Sequence, residues 1–150
     1  MSEVIKFKKV SDDAIIPNYA HIEDAGMDVY SNEEKLIPAR SWDLVKTGIS
    51  MELPSGYEAQ VRSKSGLSLK SGLIVLNSPG TIDENYRGEV GVILMNVSNQ
   101  DYKVEKHQKV AQMVINKVEH FKVIEVEEIS NSSRGDGAFG STGLKDNNKK

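Results

Sequence analysis

Residues 77–90 read NSPGTIDENYRGEV, between two apolar runs, GLIVLN at 72–77 and EVGVILMN at 89–96. Short Val/Ile/Leu runs broken by Pro79-Gly80 and Gly88 are the pattern of strand, tight turn and strand. The turn displays one carboxylate, Asp83, and one ring, Tyr86. Each has an ordinary structural reading alone, since Asp favours turns and Tyr often sits at a strand edge. Together on a rigid hairpin they make a place to hold a flat ligand and activate a water.

Outward from this hairpin the chain repeats the same grammar. Residues 4–10, 36–40, 43–53, 57–62, 102–105, 110–118 and 122–128 read as further strands, and 25–30 looks extended. Only SGLSLKS at 65–71 reads as helix, of one or two turns. Many short strands with Gly/Pro turns indicate an all-β sandwich or barrel. The chain has 150 residues, which predicts one domain with its own core. Residues 131–150 are rich in Gly, Ser, Asn and Lys, so a β core at 1–130 is expected to carry a flexible lid at 131–150.

Composition narrows the classes. Charged residues make up 27% and the net charge is −3, which argues against direct nucleic-acid binding. It leaves room for an anionic ligand held locally by Arg, Lys and backbone N–H groups. There is no Cys, so no disulfide framework, thiolate metal site or Cys nucleophile is available. The opening MSEVIKFKKV has no signal-peptide apolar region, and no run is long enough to span a membrane. A cytoplasmic setting is expected.

Four other segments carry candidate chemistry. RGDGAFGSTG at 134–143 places Gly135, Gly137 and Gly140 in a GxGxxG spacing, but without the strand before and helix after that a dinucleotide site requires. Its glycines can form a nest of N–H groups around a phosphate, Arg134 adds a charged fork, and Ser141-Thr142 add hydroxyls. Phe139 can stack on a planar ring, so the segment reads as a lid over an aromatic phosphate ester. Lys64, Ser65 and Gly66 open the helix, where Ser65 is either a cap or part of a phosphate grip. Gln112 interrupts the apolar KVAQMVI as an outward strand residue or a buried amide with a partner. Asp28, after Ala25-Gly26, reads alone as a surface acid.

Taken together, AGMDVYS at 25–31, RSKSGLSLK at 62–70, NSPGTIDENYRGEVGV at 77–92, KVAQMVI at 109–115 and RGDGAFGSTG at 134–143 resemble the five motifs of the homotrimeric dUTPases, in order. The resemblance implies a distorted jelly roll with one short helix, and hydrolysis of dUTP to dUMP and pyrophosphate with Mg2+. That reaction keeps uracil out of DNA and supplies dUMP. It implies Asp83 as the residue that activates a water for attack on the α-phosphorus. Tyr86 packs on the deoxyribose, while Asn77 and the backbone around Gly80 and Ile82 read uracil. Lys64, Ser65, Gly66 and Gln112 hold phosphates, and Asp28 acts on the metal through water. Arg134, Ser141 and Thr142 grip the γ-phosphate, Phe139 stacks on the base, and Gly140 is a further substrate-binding residue. The sites are implied to be shared between subunits, with the tail donated by a neighbour. Two positions depart from the family: Lys64 stands where Arg is usual, losing the planar fork, and Ala138 where Gly is usual. Competing readings are a dCTP deaminase-like relative and a non-catalytic nucleotide-binding regulatory protein.

Overall fold

The computed structural model describes residues 3–145. It falls into two units, Met1–Glu119 and His120–Lys150. The first holds eleven strands and one helix: β1 (Lys6–Lys9), β2 (Met27–Tyr30), β3 (Lys35–Ile37), β4 (Trp42–Lys46), β5 (Ile49–Glu52), β6 (Tyr57–Arg62), α1 (Ser65–Ser71), β7 (Leu73–Val75), β8 (Gly80–Ile82), β9 (Gly91–Asn96), β10 (Tyr102–Val104) and β11 (Lys109–Lys117). They form four antiparallel sheets, ordered β1-β5, β10-β3, β2-β11-β6-β8 and β4-β9-β7. No closed barrel forms among the described residues.

Period-two burial sets the core. In β9 Val92, Leu94 and Asn96 face inward while Gly91, Ile93 and Met95 are less buried. Val29, Ile37, Val45, Leu73, Val104 and Met113 join this core from other strands. Asn96 is a buried polar group with its partners in place: its Nδ2 donates to the carbonyls of Ile37 at 3.0 Å and Gln100 at 2.7 Å.

Three expectations are corrected here. The run 43–53 is two strands, β4 and β5, because Gly48 takes φ 71° between them. A Cβ on Gly48 would lie 2.7 Å from the Asn32 side chain, so the break is also a close approach. The opening hairpin does pair, with Leu73 opposite Asn96 and Val75 opposite Leu94. Its connection is not a tight turn, however. It leaves the sheet of β7 and β9 and forms β8, which pairs with β6 through Val61–Gly80 and Ala59–Ile82. Gly80 and Ile82 are buried and Thr81 exposed, so three residues suffice to anchor the switch by burying Ile82. Finally, residues 122–128 form no strand. Their alternating pattern is real, but no ladder partner binds their backbone among the described residues.

The four-stranded sheet positions the chemistry. Between β2 and β11 the register runs Lys109–Tyr30, then Ala111–Val29 and Gln112–Asp28. Val110 is the extra residue of a β-bulge, and Val110 and Ala111 are both buried. Because of the bulge, Lys109 and Gln112 share one face although they are three residues apart. A regular strand would put them on opposite faces.

Candidate active site

Asp28 sits on β2 with only 7% of its surface exposed. Its two carboxylate oxygens are both engaged. Lys64 Nζ donates to Oδ1, and Lys109 Nζ lies 2.9 Å from Oδ2. The Asp28 N–H donates to the Asn18 carbonyl at 2.9 Å, which ties the preceding loop to the strand. Burial pushes the carboxyl pKa up, but hydrogen bonds and charge from Lys64 and Lys109 outweigh it and hold it below the ordinary range. The hydrogen bond that Lys109 donates to Asp28 in turn raises the pKa of the Lys109 ammonium.

Lys64 occupies the N-cap position of α1 and makes no side-chain cap bond. Ser65 is therefore the first helical residue rather than the cap, and its side chain and Gly66 are exposed. That settles the open reading of Ser65 against a capping role. Gln112 is half-buried with a defined partner: its Nε2 donates to the Ser63 carbonyl at 2.9 Å. Gly26 makes room for it, since a Cβ there would lie 2.7 Å from Gln112 Oε1. Asp24, Asp28, Lys64, Ser65, Lys109 and Gln112 line an open cleft of about 510 Å³. Asp24 and Lys109 are absent from the sequence-derived set. Period-two reasoning places Lys109 away from Gln112, and only the bulge brings it round.

A second cleft, of about 210 Å³, lies at the end of β8. Thr81, Ile82, Asp83, Tyr86, Glu89 and Val90 line it. Local bonds shape this loop. The Tyr86 N–H donates to the Asp83 carbonyl at 3.1 Å, and the Tyr86 hydroxyl donates to the Glu89 carbonyl at 2.8 Å. Arg87 Nη1 donates to the Glu84 carbonyl at 2.7 Å. Gly88 is needed against the ring, because a Cβ would lie 2.5 Å from the Tyr86 hydroxyl oxygen. Asp83 is exposed, and its carboxylate has no hydrogen bond or ion pair among the described residues. Of the three residues expected to read the base, Ile82 lines this cleft. Gly80 and Asn77 lie at the opposite end of β8, with Asn77 Nδ2 3.4 Å from where a Gly80 Cβ would be.

The two clefts share no lining residue. Lys64 follows the end of β6 and Asp83 follows the end of β8, and those strands are antiparallel. By the register Asp83 continues opposite Glu58, six residues back from Lys64. At about 3.3 Å per residue, the two sites are on the order of 20 Å apart along the strand.

The remaining expected site residues lie in the second unit. There Arg134 Nε donates to the Gly137 carbonyl at 2.7 Å, and the Gly135 N–H donates to Ser132 Oγ at 3.1 Å. The Gly143 N–H donates to the Gly140 carbonyl at 2.9 Å, closing a turn over Ser141 and Thr142. Phe139 is fully exposed. Positive φ falls on Gly135, Phe139, Gly140 and Gly143. Ala138 lies outside the left-handed region, so a methyl in place of the usual glycine costs no backbone strain here. The last five residues of the expected lid, 146–150, lie outside the described residues.

The dUTPase family model matches residues 12–143. The chain belongs to the dUTPase family. It is 58% identical over 140 residues to the deoxyuridine 5′-triphosphate nucleotidohydrolase of Clostridioides difficile, covering 93% of this chain and 98% of that one. It is 60% identical over 141 residues to the enzyme of the same name from Clostridium acetobutylicum, covering 94% and 97%. Among solved structures it is similar to the dUTPase of Staphylococcus bacteriophage 80alpha with dUPNHPP, at 27% identity and TM-score 0.88, covering 95% of this chain and 100% of that one. A mutant dUTPase from phage phi11 of S. aureus, which coordinates a structural Mg(II) ion, shares the fold at 24% identity and TM-score 0.79, covering 85% and 99%. The all-β body with one short helix is the jelly roll of these neighbours.

Proposed function

We infer that this chain carries out the reaction of its family, hydrolysis of dUTP to dUMP and pyrophosphate, with Asp83 as the general base. The observation that carries the assignment is the free carboxylate of Asp83 on the wall of a cleft that also holds the Tyr86 ring. A base must be within reach of a water and must not be occupied by a cation. Asp83 takes the proton as the water oxygen bonds to the α-phosphorus. The bond from that phosphorus to the bridging oxygen breaks, and pyrophosphate leaves. Tyr86 is pinned through its hydroxyl to Glu89, so its ring is a fixed wall against a ribose 2′-OH. Ile82 and the backbone beside it receive the uracil, with Asn77 and Gly80 completing the approach.

Phosphate oxygens go to the other cleft, where Lys64, Ser65, Gly66 and Gln112 supply an ammonium, a hydroxyl, backbone N–H groups and an amide. Mg2+ fits this cleft by the chemistry of its donors. Asp24 and Asp28 are hard oxygen ligands suited to a hydrated cation, while no cage of three or more acidic, His or Cys side chains forms among the described residues. Bound to the triphosphate, the ion would neutralise charge that develops on the leaving group.

The site is shared between copies of the chain in a homotrimer. A carboxylate on the order of 20 Å from the phosphate grip cannot serve the same phosphorus, so Asp83 of one copy completes the cleft of another. The Gly-rich lid at 131–150 comes from a neighbour, bringing Arg134, Gly140, Ser141 and Thr142 to the γ-phosphate and Phe139 to the base. A cytoplasmic setting for the reaction belongs to this proposal. Among the described residues no helix is long and apolar enough to cross a membrane.

Pyrophosphate release measured separately with dUTP, dTTP, dCTP and UTP tests the substrate. Turnover of dUTP alone is expected, and ammonia from dCTP would overturn the assignment in favour of a deaminase. Subunit sharing has its own test. Asp83→Asn chains and chains ending at Ser133 are each expected to be nearly inactive alone, and mixing them is expected to restore part of the activity. No recovery, with subunit exchange demonstrated by mass, removes the shared site.

A further inference from the structure

Asp28 presents a conflict. Its place in the cleft suits it to accept hydrogen bonds from water around a cation, yet both of its oxygens are already taken by ammonium groups. The carboxylate faces inward, with 10% of its side chain exposed, while Lys64 and Lys109 are 30% and 48% exposed. All three residues line the cleft, and the two cations are more exposed to it than the carboxylate they hold. They carry two positive charges against one negative, and a triphosphate entering the cleft offers several anionic oxygens in place of one carboxylate. Both ammonium groups are carried on flexible four-carbon stems, so a change of rotamer moves them without moving the sheet.

We propose that Lys64 and Lys109 are held in reserve on Asp28 and pass together to the phosphates when a nucleoside triphosphate binds, freeing the carboxylate. This makes Lys109 a phosphate-binding residue and makes Asp28 the group that keeps it in position while the cleft is empty. The bulge at Val110 is what allows this, since it turns Lys109 onto the face of Asp28 and Gln112. The exchange resolves the conflict, because the Asp28 oxygens become available to water only once a phosphate has drawn the lysines away. Opposite charge also keeps two adjacent ammonium groups from repelling each other in the free protein. The proposal rests on the reading of this cleft as the phosphate site.

Calorimetric binding of dUpNHpp in EDTA, without divalent metal, tests it on the full-length assembly. Lys109→Met is expected to weaken binding by about tenfold to a hundredfold, while binding of deoxyuridine stays unchanged. Lys109→Arg keeps the charge and is expected to stay within about threefold of the wild type. Asp28→Asn is expected to bind dUpNHpp several-fold more tightly than the wild type in EDTA, because no carboxylate competes for the lysines. Unchanged binding in Lys109→Met overturns the proposal. So does weaker binding in Asp28→Asn with a folded protein, since that outcome means the lysines need the carboxylate in the bound state. Lys109 is half-exposed and its loss leaves the core intact, so its arm of the test does not depend on Asp28→Asn folding. A wild type that fails to hydrolyse dUTP sinks the reading of the site. A wild type that turns over dUTP, with Lys109→Met binding normally, sinks only the exchange.

Discussion

Asp28 and Asp83 stand at opposite edges of one sheet, Asp28 within β2 and Asp83 just past β8, and live in opposite conditions. Asp28 is on edge strand β2, nearly buried, with an ammonium group at each oxygen. Asp83 follows the other edge strand, β8, in the open, with no cation on its carboxylate among the described residues. One carboxylate is held in an ion-pair network, and the other carries no cation among the described residues, as the proposed base requires. The comparison teaches that residue type alone assigns neither role; the neighbours do. The supports differ in kind as well. The Asp28 cleft is gathered from β2, β11 and the start of α1, which are remote in sequence. The Asp83 cleft is built mostly by bonds within one loop, residues 83–89.

Asp83→Asn is expected to have the largest effect. A general base contributes about 10²- to 10⁴-fold, so kcat is expected to fall by that order. The Kd for dUpNHpp and the melting temperature at neutral pH are expected to stay near wild type, because among the described residues no hydrogen bond or ion pair depends on the Asp83 carboxylate. Near-normal turnover would show that the free acid is merely a turn residue.

The two clefts were unequally legible in the sequence, for a physical reason. The turn that carries Asp83 and Tyr86 is contiguous, so its Gly, Pro, acid and ring stand together in one stretch. What stayed hidden was β8, three residues long, which moves the chain to another sheet by burying Ile82. Propensity has little to say about so short a strand, and tertiary pairing decides it. The Asp28 cleft was legible in its Lys64, Ser65, Gly66 and Gln112, through resemblance to known motifs. Lys109 was not, because a bulge changes which face a residue takes and leaves no local mark in KVAQMVI. The break at Gly48 follows the same rule: a left-handed residue within a strand-like run is visible only as a glycine. Residues 122–128 fail in the opposite sense, since their alternation is present and the ladder is not.

Each cleft has a glycine whose replacement separates them further. Gly88→Ala places a methyl 2.5 Å from the Tyr86 hydroxyl oxygen and 2.7 Å from ring carbon Cζ, so the ring must leave its bond to Glu89. Loss of the fixed wall is expected to lower kcat/KM for dUTP by about tenfold while UTP loses less, which narrows discrimination. Steady-state kinetics with both nucleotides read this directly, and an unchanged ratio removes Tyr86 as the sugar gate. Gly26→Ala meets Gln112 Oε1 at 2.7 Å, a side-chain end that can swing aside, and Gln112 Cβ at 3.3 Å, which must give by a few tenths of an ångström. A several-fold rise in KM with kcat nearly intact is expected, the mark of weakened ground-state binding. If Gly26→Ala instead lowers kcat and leaves KM alone, Gln112 acts in the transition state and the phosphate cleft is more than a grip.

The smallest effect sharpens the electrostatic half of the comparison. The Asp28 carboxyl is held below its ordinary pKa by Lys64 and Lys109 despite its burial. A depressed carboxyl contributes stability that is fully present above the unfolded value, about pH 4, and is lost as pH falls through the native value. The melting-temperature difference between wild type and Asp28→Asn should therefore be level from neutral pH down to about pH 5. Below about pH 4 it should shrink as the wild-type carboxyl protonates and both lysines lose their partner. With Lys64 and Lys109 partly exposed, the level difference is about 1 kcal/mol or less. The sign is what matters. A gap that widens toward acid would mean the native carboxyl is protonated more readily than the unfolded one, with burial dominating over the lysines. Asp28 would then no longer be the charged anchor that distinguishes its cleft from that of Asp83.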